Sequence, residues 1–228
     1  MSSNLPLLED AAAKLKHLLP EVVFVGGSTL DLIVTDQASA PIRSTYDVDV
    51  IVAADYADYS KFCDRLRDIG FVNDIRPDAP LCRFLQGELI LDVMSTQKGA
   101  LGFSNRWYEG AIHTATPVSL PSGKVIRLIS APFFLGTKME AFYHRGENDY
   151  YMSHDLEDFI AVVDGREQLL DELADAPMEL RKYLGQAATE LLANVRFLDA
   201  LPGYVPGDSI SQRRIPIILE RLGKMTKL

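Results

Sequence analysis

Cysteine is nearly absent: the chain has two, Cys63 and Cys82, and no CxxC pair. That excludes a disulfide framework and a cysteine-built zinc site, and it reads as two reduced structural thiols in a cytoplasmic protein. Histidine is also sparse. His17, His113, His144 and His154 show no HExxH or Cys/His metal spacing, so zinc chemistry is not expected. Long hydrophobic runs are missing. The longest, Val22–Val25 and Asp49–Ala54, are far too short to span a bilayer, so no membrane partner is expected. Met1 to Lys16 lacks a basic stretch followed by an apolar one and does not read as a signal peptide. Positive charge is in deficit as well, with 23 Lys+Arg against 32 Asp+Glu and a formal net charge of −9. A chain of this balance does not coat nucleic acid through bulk electrostatics, because phosphate neutralisation needs basic surface. A local basic patch, or carboxylates that hold cations, stays compatible with it.

What is present is a core. Of 228 residues, 47% are hydrophobic, enough for one large domain or a domain with a smaller appended one. Residues 5–19 carry a helical stripe at Leu8, Ala12, Leu15 and Leu19, ending at Pro20. Val22–Val25 reads as a short buried strand, Gly26-Gly27 as a break, and Ser28 as a helix start. Tyr46–Val52 reads as a strand and 56–69 as a helix stopped by Gly70. Leu81–Leu85 and Glu88–Met94 read as strands of a hairpin turning at Gln86-Gly87, with a second hairpin around Pro121-Ser122-Gly123. From Pro132 the pattern is helical, over 132–145, 155–164, 166–175, 178–200 and 208–223, the last interrupted by Pro216. The composition therefore predicts a mixed α/β (α+β) core over 1–130 and a helical region over 131–228.

The chemistry concentrates in residues 24–52. Asp47 and Asp49 lie two apart on a predicted strand, so both carboxylates leave one face. Like charges so placed are costly unless something positive sits between them, and a divalent cation such as Mg²⁺ suits hard oxygen ligands. Asp92, inside the apolar LILDVM segment, is an acid that calls for a partner, which a shared metal site would supply. Gly26-Gly27-Ser28, between strand and helix, would let backbone approach phosphate closely.

In this order the pattern resembles the nucleotidyltransferase superfamily of the polymerase beta type. A glycine-serine signature opens a helix, an apolar-flanked DxD follows, and a third acid stands on a later strand. Within it the chain looks most like the AbiEii-type nucleotidyltransferase toxins of type IV toxin–antitoxin systems, through GGSTL at 26–30, RSTYDVD at 43–49, Lys138 in GTKMEAF and Asp155 with Asp158 in SHDLEDF. The resemblance implies a mixed sheet flanked by helices and a C-terminal helical region that completes the active site. It implies two Mg²⁺ ions (Mn²⁺ as substitute) on Asp47 and Asp49, with Asp92 completing one metal site and aiding deprotonation of an acceptor hydroxyl. Gly26, Gly27 and Ser28 would hold the β- and γ-phosphates of an NTP, and Arg43 and Lys138 would meet phosphate as well. Asp155 or Asp158 would support the site by orienting the lysine; acids favoured in a first helical turn are the plainer account.

The implied activity is transfer of an NMP from an NTP to a hydroxyl on tRNA, protein or a small molecule, with a cognate antitoxin as a possible partner. A catalytically degenerate nucleotide-binding module and an aminoglycoside-type transferase are the alternatives. The basic residues Arg213, Arg214, Arg221, Lys224 and Lys227 at the C-terminus read as a solvated charged end or, less readily, as an RNA contact.

Overall fold

A computed structural model describes residues 4–145 and 149–228. They fall into two compact units: residues up to Asp31 with Arg43–Ser130, and Leu32–Ile42 with Ala131–Leu228.

The first unit is built on a sheet. Helix α1 (Leu5–Leu15) buries Leu8, Ala11, Ala12 and Leu15, one apolar face at helical spacing. A 3₁₀ segment, Lys16–Glu21, takes in Pro20 and leads into β1 (Val22–Val25), buried along its length. The expected helix at Ser28 forms as a 3₁₀ turn over Gly27–Thr29 followed by a single turn, α2 (Leu30–Ile33), with Leu30 and Ile33 buried. Next come β2 (Asp47–Val52), α3 (Tyr56–Asp68), β3 (Val72–Asn73), β4 (Arg83–Gln86), β5 (Leu89–Ser95), α4 (Lys98–Leu101), α5 (Tyr108–Thr114), β6 (Thr116–Ser119) and β7 (Val125–Leu128). The Asp55 side chain caps α3 by accepting from the Asp58 N–H at 2.9 Å.

Among the described residues the strands form one seven-stranded sheet in the order β3-β4-β5-β2-β1-β7-β6. Neighbours pair antiparallel except β2 with β5 and β1 with β7, which run parallel. The sheet is mixed and flanked by helices, as the resemblance implies. Strand β3 and helices α4 and α5 have too little periodicity to be seen in the sequence.

The second unit is helical: α6 (Ala131–Arg145), α7 (His154–Gly165), α8 (Leu169–Ala174), α9 (Met178–Ala193), α10 (Val195–Ala200) and α11 (Ile215–Met225). Two expectations change here. The single helix over 178–200 is divided at Asn194, whose side chain accepts from the Arg196 and Phe197 N–H groups and so caps α10. Pro216 does not interrupt a helix but sits in the first turn of α11, where no backbone donor is needed.

Candidate functional site

Strand register assembles one charged face on the sheet. Asp49 pairs with Asp92 across the parallel β2–β5 ladder, and Arg83 pairs with Asp92 across the antiparallel β4–β5 ladder. Directly paired residues share a face, and Asp47 joins them two positions from Asp49. Val48, Val50, Leu91, Val93 and Phe84 alternate with these residues and are buried, which holds the register, since a slip would move the apolar set out of the core.

Arg83 was not among the residues singled out from the sequence. Its Nε donates to Asp92 Oδ1 at 2.8 Å and its Nη2 to Asp92 Oδ2 at 2.7 Å, a two-pronged pair, while Nη2 also reaches Asp47 Oδ2 at 3.0 Å. The buried Asp92 thus finds its partner within the chain. The signal was present in outline: a two-residue turn of Gly87-Glu88 closed by Gln86 and Leu89 sets Arg83 opposite Asp92. A turn at Gln86-Gly87 would instead set it opposite Ile90. Gly87 at φ 62° takes the left-handed position such a turn needs.

Gly26 follows β1 at φ 72° and lies against the Asp49 side chain, so that a Cβ there would meet Asp49 Oδ2 at 1.9 Å. Any side chain at position 26 would displace that carboxylate. The Gly26 carbonyl accepts from Thr29 Oγ1 at 2.7 Å and from the Thr29 N–H at 3.2 Å, closing the turn over Gly27. Ser28 is fully buried, and its Oγ has no hydrogen-bond partner among the described residues. A buried hydroxyl left so costs about 1–3 kcal/mol.

Arg43 is half-buried on the approach to β2. Asn4, also missed from the sequence, fastens that approach. Its backbone N–H donates to Asp31 Oδ2 at 2.7 Å, its Nδ2 to the Arg43 carbonyl at 3.2 Å, and its Oδ1 accepts from the Thr45 N–H at 3.0 Å. Buried Cys82, next to Arg83, has its thiol pushed up to about 12, first by burial and then by the charges of Asp92 and Asp49.

Asp47, Asp49 and Asp92 supply hard oxygen donors of the kind Mg²⁺ takes, so the donor types suit a divalent cation. Yet among the described residues no three His, Cys, Asp or Glu side chains converge as a ready cation cage. The Arg83 guanidinium already holds both oxygens of Asp92 and one of Asp47. A cleft of about 250 Å³ lies beyond the C-terminal ends of β2 and β5, lined by Asp55, Thr96, Glu109 and His113 among others. It contains none of the residues predicted from the sequence, and the acid face remains the better candidate because register puts three acids and an arginine on one face there.

Lys138, Asp155 and Asp158 come together in the helical unit. Lys138 Nζ on α6 lies 2.6 Å from Asp158 Oδ2 and 3.2 Å from Asp155 Oδ1 on α7. The i, i+3 spacing puts both acids on one face, as expected, and all three residues are buried. Asp155 and Asp158 are therefore more than first-turn acids of an exposed helix. The N-terminal cap of α7 comes from Ser153, whose Oγ accepts from the Leu156 N–H at 3.3 Å.

Of the basic residues at the C-terminus, Arg214 and Arg221 are taken up by the fold, while Arg213, Lys224 and Lys227 stay exposed. Arg214 is buried, with Nε 2.7 Å from Asp164 Oδ1 and Nη2 2.6 Å from Asp36 Oδ2. Arg221 Nη1 donates to the carbonyls of Val163 and Asp164 at the end of α7, and Lys224 pairs with Glu220 at 2.7 Å. Arg214 is thus not the solvated residue its sequence position suggests.

No protein-family model matches the sequence, and no curated relative does. Solved structures do match. A nucleotidyltransferase-like antigenic protein from Paracoccidioides brasiliensis is similar over 87% of this chain and 93% of its own, at 20% identity and a TM-score of 0.50. JHP933 from Helicobacter pylori aligns over 97% of this chain and 90% of its own, at 11% identity and a TM-score of 0.49. At 20% identity the likeness to the first of these is one of architecture: the chain has a nucleotidyltransferase-like fold.

Proposed function

We propose that this protein is a divalent-cation-dependent nucleotidyltransferase that moves an NMP from an NTP onto a hydroxyl acceptor. The observation that carries the reading is the placement of Asp47, Asp49 and Asp92 on one face of two adjacent parallel strands, with Gly26 shaped around the Asp49 carboxylate. The likeness of fold to a protein described as nucleotidyltransferase-like supports it.

Asp47 and Asp49 would hold the cations, with Asp92 as a further ligand. Held by these carboxylates, such ions would supply positive charge that stabilises the attacking and the leaving oxygen. The chain's own part is positional. Strand β2 fixes two carboxylates at the spacing of alternate residues, β5 brings the third beside them, Gly26 seats the Asp49 carboxylate, and the Gly27-Ser28 turn would meet phosphate. The acceptor oxygen forms a bond to the α-phosphorus while the bond between that phosphorus and the α,β-bridging oxygen breaks. Pyrophosphate leaves with the electron pair, and the hydroxyl proton passes to the Asp92 carboxylate. A toxin role of the AbiEii type, restrained by an antitoxin, is the finer form of this reading and rests on the GGSTL and RSTYDVD motifs.

A second reading has an observation in its favour. Arg83 pairs with two of the three acids, an arrangement that a nucleotide-binding module without turnover would keep. One assay separates the two. The protein is incubated with Mg²⁺ and each α-labelled NTP, with tRNA, protein extract or an aminoglycoside as acceptor, beside an Asp47→Ala/Asp49→Ala variant. Label transfer that the variant loses establishes the enzyme and names its acceptor. NTP binding with no transfer to any acceptor overturns it in favour of the binding module.

A further inference from the structure

We propose that Arg83 is the internal counter-ion of the acid face, and that a divalent cation binds Asp92 and Asp47 only by displacing its guanidinium. The inference rests on the cation-dependent reading and deepens it by naming the residue that sets cation affinity. Three observations carry it. Both carboxylate oxygens of Asp92 are engaged by Arg83 Nε and Nη2, and Nη2 also holds Asp47 Oδ2. These are the oxygens that a metal bridging Asp47 and Asp92 would need. Arg83 and Asp92 are direct partners in the β4–β5 ladder, so the strand register keeps the arginine beside the acid. Side-chain exposure is 20% for Arg83 and 10% for Asp92, so water screens the pair only partly.

From this follows a trade between folding and cation binding. Three carboxylates on one face repel, and Arg83 relieves that repulsion without a metal. A cation entering the set meets a fixed positive charge as well as occupied oxygens, so its affinity is lowered by the work of moving Arg83 aside. Removal of the guanidinium should make the fold depend on the cation and make the cation bind better. The two effects arise from one cause and should appear together.

The test uses the full chain and its Arg83→Gln variant. Mn²⁺ binding is followed by the electron paramagnetic resonance of the free ion, and melting temperature is measured in EDTA and in Mn²⁺. Arg83→Gln should bind Mn²⁺ about tenfold more tightly than wild type, which corresponds to about 1.4 kcal/mol. It should also melt lower in EDTA and regain the difference in Mn²⁺, while the wild type responds less. Adding Asp92→Asn to the variant should abolish the gain. Equal Mn²⁺ affinity in wild type and Arg83→Gln overturns the role of Arg83 and leaves the cation reading standing. Absence of Mn²⁺ binding in both overturns the two together. Should Arg83→Gln not fold, the wild type decides: the Arg83 Nε–H resonance should shift as Mg²⁺ is titrated, and a resonance that stays in place overturns the proposal.

Discussion

Gly26 leaves the space that the Asp49 carboxylate fills: a Cβ at position 26 would lie 1.9 Å from Asp49 Oδ2. Gly26→Ala must therefore move Asp49, and its φ of 72° adds backbone strain of about 1–3 kcal/mol. Gly102 offers a control, since its φ of 79° is comparable but a Cβ there meets nothing within 4 Å. Both alanine variants should lose stability in urea denaturation. Only Gly26→Ala should also lose Mn²⁺ and NTP binding, and equal binding in the two would separate position 26 from the acid face.

In the helical unit, Lys138→Met takes away the ammonium 2.6 Å from the fully buried Asp158 carboxylate. A buried charge deprived of its partner costs about 3–5 kcal/mol. The variant should therefore unfold at clearly lower denaturant concentration. Pairing it with Asp158→Asn should recover a good part of the loss, because the two changes together remove the uncompensated charge. A double variant as unstable as the sum of the singles would show that the pair is not coupled.

Asp36 gives this unit an acid limit. Its carboxyl is held below the usual range, first by the Ala38 N–H and then by Arg214. A carboxyl depressed in the folded state contributes stability that is fully present above its unfolded value of about 3.9 and is lost as pH falls through the lower folded value. Denaturation midpoints measured downward from pH 5 should fall less steeply in Asp36→Asn than in wild type. Identical pH slopes would remove Asp36 from the account.

The two cysteines should be inert in the native protein. Burial raises both thiols, and Asp92 and Asp49 push Cys82 further, to about 12. Neither forms much thiolate near neutral pH. Iodoacetamide followed by mass spectrometry should find both unmodified in buffer and both modified in denaturant. Fast native labelling of Cys82 would mean that the β4–β5 hairpin opens readily.

Much of the sheet unit could be read locally. The alternation of DVDVIV determines that Asp47 and Asp49 share a face, because successive side chains of a strand point to opposite sides. The apolar run 22–25 followed by two glycines announces a strand and a tight turn at the positions where both occur. Asn194 and Pro216 were harder, since each is compatible with a helix until its neighbours decide whether it caps, starts or breaks one.

What the sequence by itself determined were periodicities: which residues alternate, which recur each helical turn, and which types of donor stand close along the chain. Only the tertiary structure decided the partners. Arg83 lies opposite Asp92 because the hairpin turns at Gly87-Glu88, and moving that turn by one residue would place it opposite Ile90. Asp92 lies beside Asp49 because β2 and β5 pair in parallel across 43 positions of sequence, which no local pattern encodes. Arg214, in a stretch that reads as a charged tail, is buried against Asp164 and Asp36 for the same reason. Charge is visible in a sequence, but its neutralisation depends on burial and register, and those are settled only when distant segments pack.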